Sequence, residues 1–126
     1  MTENELSHKI IGCAIEVHRE LGGPGLLESI YEDALCNELR NNQLEVKRQL
    51  HVPVMYKGAR LSMDLILDVL VNDLIIVEIK AVDEVHAVHK SQLLTYLRVA
   101  NKKLGLLINF GSAYLRKGVH RVVNGL

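Results

Sequence analysis

The sequence contains no tryptophan, one phenylalanine, two prolines and two cysteines, and it lacks a long uninterrupted apolar run. About 20 consecutive apolar residues are needed to span a bilayer. Charges interrupt every long apolar stretch here, so we expect no membrane partner. The acidic start, Met-Thr-Glu-Asn-Glu-Leu, has no apolar signal core, which favours a cytoplasmic protein. Cys13 and Cys36 lie in apolar helical segments without metal-ligand spacing, so we predict buried free thiols.

The chain has 126 residues, of which 48% are hydrophobic and 24% are charged. This composition excludes intrinsic disorder and provides enough apolar material for the core of a single domain over residues 1–126. The net charge is zero, which argues against a strong general electrostatic grip on nucleic acid. The charge is uneven, however, because residues 1–40 are acidic and residues 41–126 are basic. The basic excess is either ordinary solvated charge or a face for a phosphate backbone.

Hydrophobic periodicity predicts the element order α-α-β-β-β-α-β, which is an α/β fold with a mixed sheet and helices on its faces. The spacing of Thr2 and Glu5 predicts a capping box at the first helix, which Gly22-Gly23-Pro24 ends. Turns are predicted at Lys57-Gly58 and Asn72-Asp73. The other predicted elements are helices over about 25–41 and from 84 or 86 to 100, strands over 44–56, 61–71, 74–81 and 104–110, and a short hairpin within 113–123 around Lys117-Gly118.

Three charged residues lie inside strands that are otherwise apolar. Asp68 occurs in Leu-Ile-Leu-Asp-Val-Leu-Val, and Glu78 and Lys80 occur in Ile-Ile-Val-Glu-Ile-Lys-Ala. A charge in such a strand costs on the order of a few kcal/mol unless it has a partner or a bound ion. Carboxylates from two hairpin-linked strands can converge on one hard cation such as Mg²⁺. Lys80, on the same strand face as Glu78, could then offset negative charge or position a water.

The alternative interpretation is a structural ion pair of Asp68 or Glu78 with Lys80. Glu45-Val46-Lys47 has the same Glu-x-Lys spacing, but its strand alternates apolar and polar residues, so we expect both of its charges on a solvated face.

The predicted hairpin geometry opposes a shared cation. A hairpin closed by Asn72 and Asp73 alone would pair Asp68 with Val77, which places Asp68 and Glu78 on opposite sheet faces. A shared cation therefore needs a three-residue loop or a bulge. Asp64 has the same parity as Asp68 and is the reserve ligand.

Two helices carry further candidates. In Gly25-Leu-Leu-Glu28-Ser-Ile-Tyr31, Glu28 lies in a first helical turn and Tyr31 lies on the same side, and from helix-end preferences alone an N-terminal charge and a core tyrosine explain this pattern. Gln92 and Tyr96 share a face of the third helix. In that helix, His86 and His89 have no third ligand, so we expect them to face solvent or nucleic acid.

These segments together resemble the small prokaryotic proteins named for their GxxExxY motif, which are assigned to the PD-(D/E)XK nuclease-like superfamily. The resemblance rests on Gly25-x-x-Glu28-x-x-Tyr31, on the preceding residues 14–22, on Gln92-Leu-Leu-Thr-Tyr96-Leu and on residues 105–111. It implies a restriction-endonuclease-like αβββαβ core with an extra N-terminal helix.

The resemblance also implies roles for single residues. Asp68 matches the metal-binding aspartate, Glu78-x-Lys80 matches the (D/E)-x-K element, and Glu28 matches an extra acidic residue contributed by a helix. Gln92-x-x-x-Tyr96 resembles the glutamine–tyrosine helix motif of recombination-type exonucleases. The sequence departs from the pattern in one place, because Leu67 rather than proline precedes Asp68.

The resulting hypothesis is an Mg²⁺- or Mn²⁺-dependent nuclease acting on nucleic acid, with DNA favoured over RNA. Its expected residues are Asp68, Glu78, Lys80 and Glu28 for catalysis, the three carboxylates among these for the metal, and Gln92, Tyr96 and Tyr31 for the substrate. A chain this short is expected to need a second copy or a protein partner to grip a duplex, because specific DNA complexes bury roughly 1,000 Å² or more. The alternative is a noncatalytic module that keeps the fold to bind nucleic acid or a protein.

Overall fold

Five strands form one mixed sheet in the computed structural model, which describes residues 1–126. The helices are α1 (Glu3–Glu20), α2 (Glu28–Asn41) and α3 (Ala87–Ala100), and the strands are β1 (Val46–Val52), β2 (Met55–Tyr56), β3 (Ala59–Arg60), β4 (Leu65–Val71), β5 (Ile75–Lys80), β6 (Leu104–Asn109) and β7 (Val119–Val123). The strand order is β1-β4-β5-β6-β7, and β5–β6 is the parallel pair. The predicted fold class is therefore confirmed. None of the three helices combines the length and the apolar composition that a transmembrane segment requires.

The sheet has a hydrophobic cluster on each face. The larger cluster packs α1 and α2 against one face, and the smaller one packs α3 against the other. The central strand β5 contributes to both, because Ile75 and Val77 belong to the larger cluster and Ile76 to the smaller one. The prediction that this strand is covered on both faces is confirmed. A charge on β5 is consequently held inside the molecule.

Local sequence signals explain where the first two helices begin. The Thr2 hydroxyl accepts the Glu5 N–H at 3.1 Å and the Glu5 carboxylate accepts the Thr2 N–H at 3.1 Å, which confirms the capping box. Helix α2 begins at Glu28 and not at Gly25, because Gly25 has a φ of +121°, outside the helical range. Glu28 is thus the first residue of its helix.

Two predicted elements were wrong. The strand expected over 44–56 stops at Val52, before Pro53, and β2 then pairs with β3 across the Lys57-Gly58 turn. The hairpin expected around Lys117-Gly118 does not form, because these residues lie in a 3₁₀ turn over Leu115–Gly118 and a single strand, β7, follows. Gly118 packs tightly against the end of β6, where a Cβ atom would lie 2.5 Å from the Asn109 carbonyl oxygen.

The turn between β4 and β5 also differs from the prediction. Val71 pairs with Ile75, so the loop has three residues, 72–74, and not the two that were expected. Asn72 and Asp73 both adopt left-handed conformations, with φ of +51° and +55°. The extra residue shifts the register by one, so that Val69 pairs with Val77. At the next position along the two strands, Asp68 therefore lies opposite Glu78. The geometric condition for a shared cation is met.

Candidate active site

Asp68 and Glu78 lie where the regular pairing of β4 and β5 ends. The Asp68 carboxylate accepts a hydrogen bond from the Ile79 N–H at 2.9 Å. The Glu78 carboxylate accepts one from the Asp68 N–H at 3.3 Å. Each carboxylate thus binds the backbone of the opposite strand, where a ladder hydrogen bond would otherwise form. This exchange brings the two acidic groups together at one point of the sheet.

The surroundings of Glu78 disfavour its charged form. Its side chain is only 7% exposed. Burial, followed by the charge of Asp68 and a hydrogen bond between the two carboxyl groups, raises the pKa of Glu78 to about 9. The Asp68 N–H and the Lys80 ammonium lower this pKa in part. A bound cation would favour the ionised form of both carboxyl groups near neutral pH, and their oxygen atoms are the ligands that Mg²⁺ and Mn²⁺ prefer.

Glu28 extends the acidic group from the neighbouring helix. Burial raises the pKa of Glu28, as do the charges of Asp68 and Glu32, whereas Lys80 and the Ala81 N–H lower it. Glu28, Asp68 and Lys80 therefore influence each other electrostatically. No group of three or more His, Cys, Asp or Glu side chains in residues 1–126 is arranged to hold a metal ion as it stands.

Lys80 is half-buried and forms no ion pair, so the structural ion pair with Asp68 or Glu78 is not observed. The second Glu-x-Lys segment behaves as expected of a solvated face. Lys47 lies 3.9 Å from Glu45, and both side chains are more than half exposed. The context of the two segments, and not their spacing, separates them.

The segment after Lys80 is fixed by a buried asparagine that sequence reasoning missed. Asn109 Oδ1 accepts the N–H groups of Val82 and Gly111, both at 3.0 Å, and its Nδ2 donates to the Val82 carbonyl at 2.9 Å. A Cβ atom on Gly111 would lie 2.2 Å from the Val82 carbonyl oxygen, so glycine is required there. Asn109 pairs with Lys80 between β6 and β5. It thus anchors the backbone that carries the lysine.

A cleft of about 560 Å³ opens beside the carboxylates. Its lining residues are Leu27, Glu28, Ser29, Glu32, Gln49 and Asp68. Within it, Glu32 accepts hydrogen bonds from Arg48 at 3.0 Å and from Gln49 at 3.0 and 3.2 Å. Sequence reasoning missed these residues, although Glu32 is a charge on the buried side of α2 and could have been found by that signal.

Helix α3 brings one of its two candidates close to the carboxylates. Tyr96 is half-buried, and burial together with the charges of Glu78 and Asp68 raises its pKa, so its hydroxyl remains protonated. Gln92 lies one turn earlier on the same helix face. It is exposed. Tyr96 therefore lies within electrostatic reach of the carboxylates.

Tyr31 lies in the hydrophobic core and not at the candidate site. It is fully buried and stacks on Phe110, with 4.7 Å between the ring centroids. Its hydroxyl donates to the Gly23 carbonyl at 2.7 Å and accepts the Leu26 N–H at 3.1 Å. A fully enclosed ring offers no surface to a substrate, so the core-tyrosine interpretation describes this residue better.

The remaining candidates lie elsewhere. Asp64 binds Arg60 at 3.1 Å and lies 3.6 Å from His51, so it is engaged away from the pair of strand carboxylates. His86 and His89 form a reciprocal cap on α3, in which the His86 N–H donates to His89 Nδ1 at 3.1 Å. Both predicted thiols, Cys13 and Cys36, are buried and free.

Comparison with known proteins gave one match. Residues 4–122 match the family described as the PD-(D/E)XK nuclease superfamily. No curated protein and no solved structure matches the chain. The match covers the whole sheet except the last residue of β7, together with most of α1 and all of α2 and α3.

Proposed function

Because this chain belongs to the PD-(D/E)XK nuclease superfamily, we propose that it is a divalent-metal-dependent nuclease that hydrolyses phosphodiester bonds in nucleic acid, with DNA favoured over RNA. The observation that carries this proposal is the convergence of Asp68 and Glu78 beside a lysine without an ion pair. We treat residues 1–126 as one nuclease-like domain.

Within the superfamily we assign the chain to the GxxExxY group. The three motif residues have separate physical tasks that support this assignment. Gly25 takes a φ of +121° that L-residues avoid, Glu28 begins α2 beside the carboxylates, and Tyr31 ties the loop before the helix. The motif thus describes a loop and helix start that present an acidic side chain to the sheet.

The carboxylates of Asp68 and Glu78 would hold Mg²⁺ or Mn²⁺ directly, and Glu28 would act through a bridging water. The donor set fits such an ion, because it consists of carboxyl oxygens whose joint ionisation is unfavourable without a cation. When bound, the metal acts as a Lewis acid that lowers the pKa of a water and polarises the scissile phosphate.

Lys80 and Tyr96 would act on the substrate itself. An ammonium group without an ion pair is available to offset the negative charge that develops on the phosphate and to orient the attacking water. The protonated hydroxyl of Tyr96 can donate a hydrogen bond to a phosphate oxygen. Gln92, exposed one turn away, would contact the nucleic-acid backbone.

An exposed hairpin, β2–β3, supports contact with nucleic acid. The β2–β3 ribbon leads directly into β4, and Leu65, the first residue of β4, is three residues or about 10 Å from Asp68 along the strand. At the tip, Tyr56 is 58% exposed and the Lys57 ammonium lies 5.4 Å from its ring centroid. An exposed ring for stacking beside a cation for phosphate is typical of single-strand recognition.

The direct test is calorimetric titration of Mn²⁺ into the wild-type chain and into Glu78→Gln near neutral pH. We expect binding by the wild type, loss of binding by Glu78→Gln, and unchanged binding by Glu45→Gln, which is the matched control from the solvated Glu-x-Lys segment. The same variants should be compared for cleavage of labelled single- and double-stranded DNA and RNA oligonucleotides in Mn²⁺. We expect cleavage by the wild type and by Glu45→Gln and none by Glu78→Gln.

Equal cleavage by Glu78→Gln and the wild type would contradict the proposal. Oligonucleotide binding that is independent of Mn²⁺, with no cleavage by any variant, would instead support the noncatalytic module. A steep loss of binding with added salt would identify contacts to the phosphate backbone in either case.

A further inference from the structure

Gln49 adopts a backbone conformation that is unusual inside a strand. Its φ is +47°, in the left-handed region that non-glycine residues seldom occupy. Neighbouring side chains in a strand normally point to opposite faces. Here Arg48 and Gln49 both reach Glu32 on α2, at 3.0 Å in each case. The alternation of side chains between the two sheet faces is therefore interrupted at Gln49, and the residues after it point to the faces opposite to those expected.

The neighbouring strand β4 shows the same change of face at the position opposite Gln49. In β4, Leu67 packs in the cluster beneath α3, whereas Val69 packs in the larger cluster beneath α1 and α2, although a regular strand would place both on one face. In β1, Val46 contacts the larger cluster and Leu50 the smaller one.

The break in the ladder locates this reversal. The register between β1 and β4 is otherwise constant from Val46–Val71 to Val52–Leu65, and the missing rung is Gln49–Asp68. The candidate metal ligand therefore lies directly opposite the residue with the left-handed backbone. Because β1 and β4 both change face at this position, their residues remain in the same register before and after it, and the pairing of the two strands continues.

The reversal explains how Asp68 takes part in two groups at once. Its side chain lines the cleft with Glu28 and Gln49, while its N–H meets Glu78 on the adjacent strand. In a regular β4, the face that carries Leu70 would also carry Asp68, on the side of α3 and away from the cleft.

We propose that Gln49 is a positioning residue of the candidate site, whose left-handed backbone, held by its amide on Glu32, turns Asp68 toward Glu28 while the Asp68 N–H stays bonded to Glu78. This inference rests on the proposed function for its consequence but not for its geometry. The conformation costs energy for any residue with a Cβ, and such strain is characteristic of functional sites. The two hydrogen bonds to Glu32, which is itself held by Arg48, offset this cost.

Two substitutions separate the backbone from the amide. Gln49→Val disfavours the left-handed conformation because a β-branched side chain is a poor fit there. Gln49→Gly allows that conformation without strain and removes the amide. If the backbone conformation is what matters, the glycine variant keeps the site and the valine variant loses it.

The experiment measures amide hydrogen exchange at Asp68 and Ile79 and Mn²⁺ binding by calorimetry. In Gln49→Val we expect exchange at both amides to accelerate at least about tenfold, protection at Val77 to persist, and Mn²⁺ affinity to fall about 10- to 100-fold, as for other residues that orient metal ligands. Gln49→Gly should stay within about threefold of the wild type in each measurement.

Unchanged exchange at Asp68 and Ile79 in Gln49→Val would overturn the inference, as would an equal loss in Gln49→Gly. If exchange responds as expected but the wild type does not bind Mn²⁺, the proposed function fails while the positioning by Gln49 stands. Protection at Val77 shows that a variant is folded, because this residue lies in the regular β4–β5 ladder.

Discussion

The carboxylate of Glu78 accepts a hydrogen bond from the backbone N–H of Asp68 at 3.3 Å, so one acidic residue of the candidate site is held by the main chain of the other. The Asp68 carboxylate in turn accepts the Ile79 N–H at 2.9 Å. Neither carboxylate can move without releasing a backbone donor of the opposite strand. The pair is therefore preorganised, and its residual cost is electrostatic.

This cost predicts a pH-dependent stability in the absence of divalent ions. The pKa of Glu78 is raised to about 9 in the folded state, whereas the unfolded value is about 4.3. The folded state then binds more protons, so stability falls as the pH rises between these values. Glu78→Gln removes the titration and should be more stable than the wild type by on the order of 2 kcal/mol at about pH 8. Urea unfolding in EDTA from about pH 5 to about pH 9 measures this difference, and a parallel decline in both proteins would contradict it.

Lys80 should affect turnover more than metal binding. In Lys80→Met we expect the cleavage rate in Mn²⁺ to fall about 100-fold, because a group that stabilises charge in the transition state is lost. The Mn²⁺ affinity should change by less than about threefold, because the carboxylates are intact. Lys47→Met, in the solvated Glu-x-Lys segment, is the control and should leave both quantities unchanged. Comparable losses in the two lysine variants would remove Lys80 from the site.

The β2–β3 hairpin should affect the affinity for nucleic acid without affecting the metal. Tyr56→Ala should weaken oligonucleotide binding about tenfold, as expected for the loss of one stacked base. Lys57→Gln should reduce the slope of log affinity against log salt concentration by about 1, as expected for the loss of one phosphate contact. Fluorescence anisotropy at several salt concentrations measures both effects.

The chain offers a matched control for this hairpin. Tyr114 is also exposed, and the Lys117 ammonium lies 5.5 Å from its ring centroid. It lies before the 3₁₀ turn, which precedes β7 at the other edge of the sheet. Tyr114→Ala should leave the affinity unchanged, and an equal loss would show that exposed tyrosines act without regard to position.

Tyr31 should contribute to stability and not to substrate binding. Tyr31→Phe removes the hydroxyl that joins the Gly23 carbonyl to the Leu26 N–H and should cost about 1–2 kcal/mol of folding free energy. The oligonucleotide affinity should remain within about twofold of the wild type. Urea unfolding and anisotropy report the two quantities separately. A loss of affinity without a loss of stability would restore Tyr31 to the substrate site.

Charge patterning alone predicted much of this arrangement. Asp68, Glu78 and Lys80 are recognisable because they interrupt strands that are otherwise apolar, and such charges need an explanation wherever the strand is buried. The capping box at Thr2 and the helical periods were equally visible. These signals are local, since each depends on residues within one element.

The features that the sequence did not reveal depend on two elements at once. The third residue of the β4–β5 loop sets the register, and nothing in Asn72-Asp73-Leu74 distinguishes a two-residue turn from a three-residue one. The reversal at Gln49 occurs without glycine or proline, because the Gln49 amide donates hydrogen bonds to the Glu32 carboxylate on helix α2 and these stabilise it. Asn109 likewise acts on Val82, 27 residues away.

The three-residue loop makes the length of this hairpin a determinant of chemistry. Strand β5 is buried on both faces and is apolar apart from Glu78 and Lys80, so its apolar residues alone would tolerate a slip of one residue better than an alternating strand would. If one loop residue is deleted and the loop re-forms with three residues, Ile79 comes to lie opposite Asp68 in place of Glu78. A protein engineer could therefore vary the identity of residues 72–74 more freely than their number, and grafting this site onto another scaffold requires copying the spacing along with the side chains.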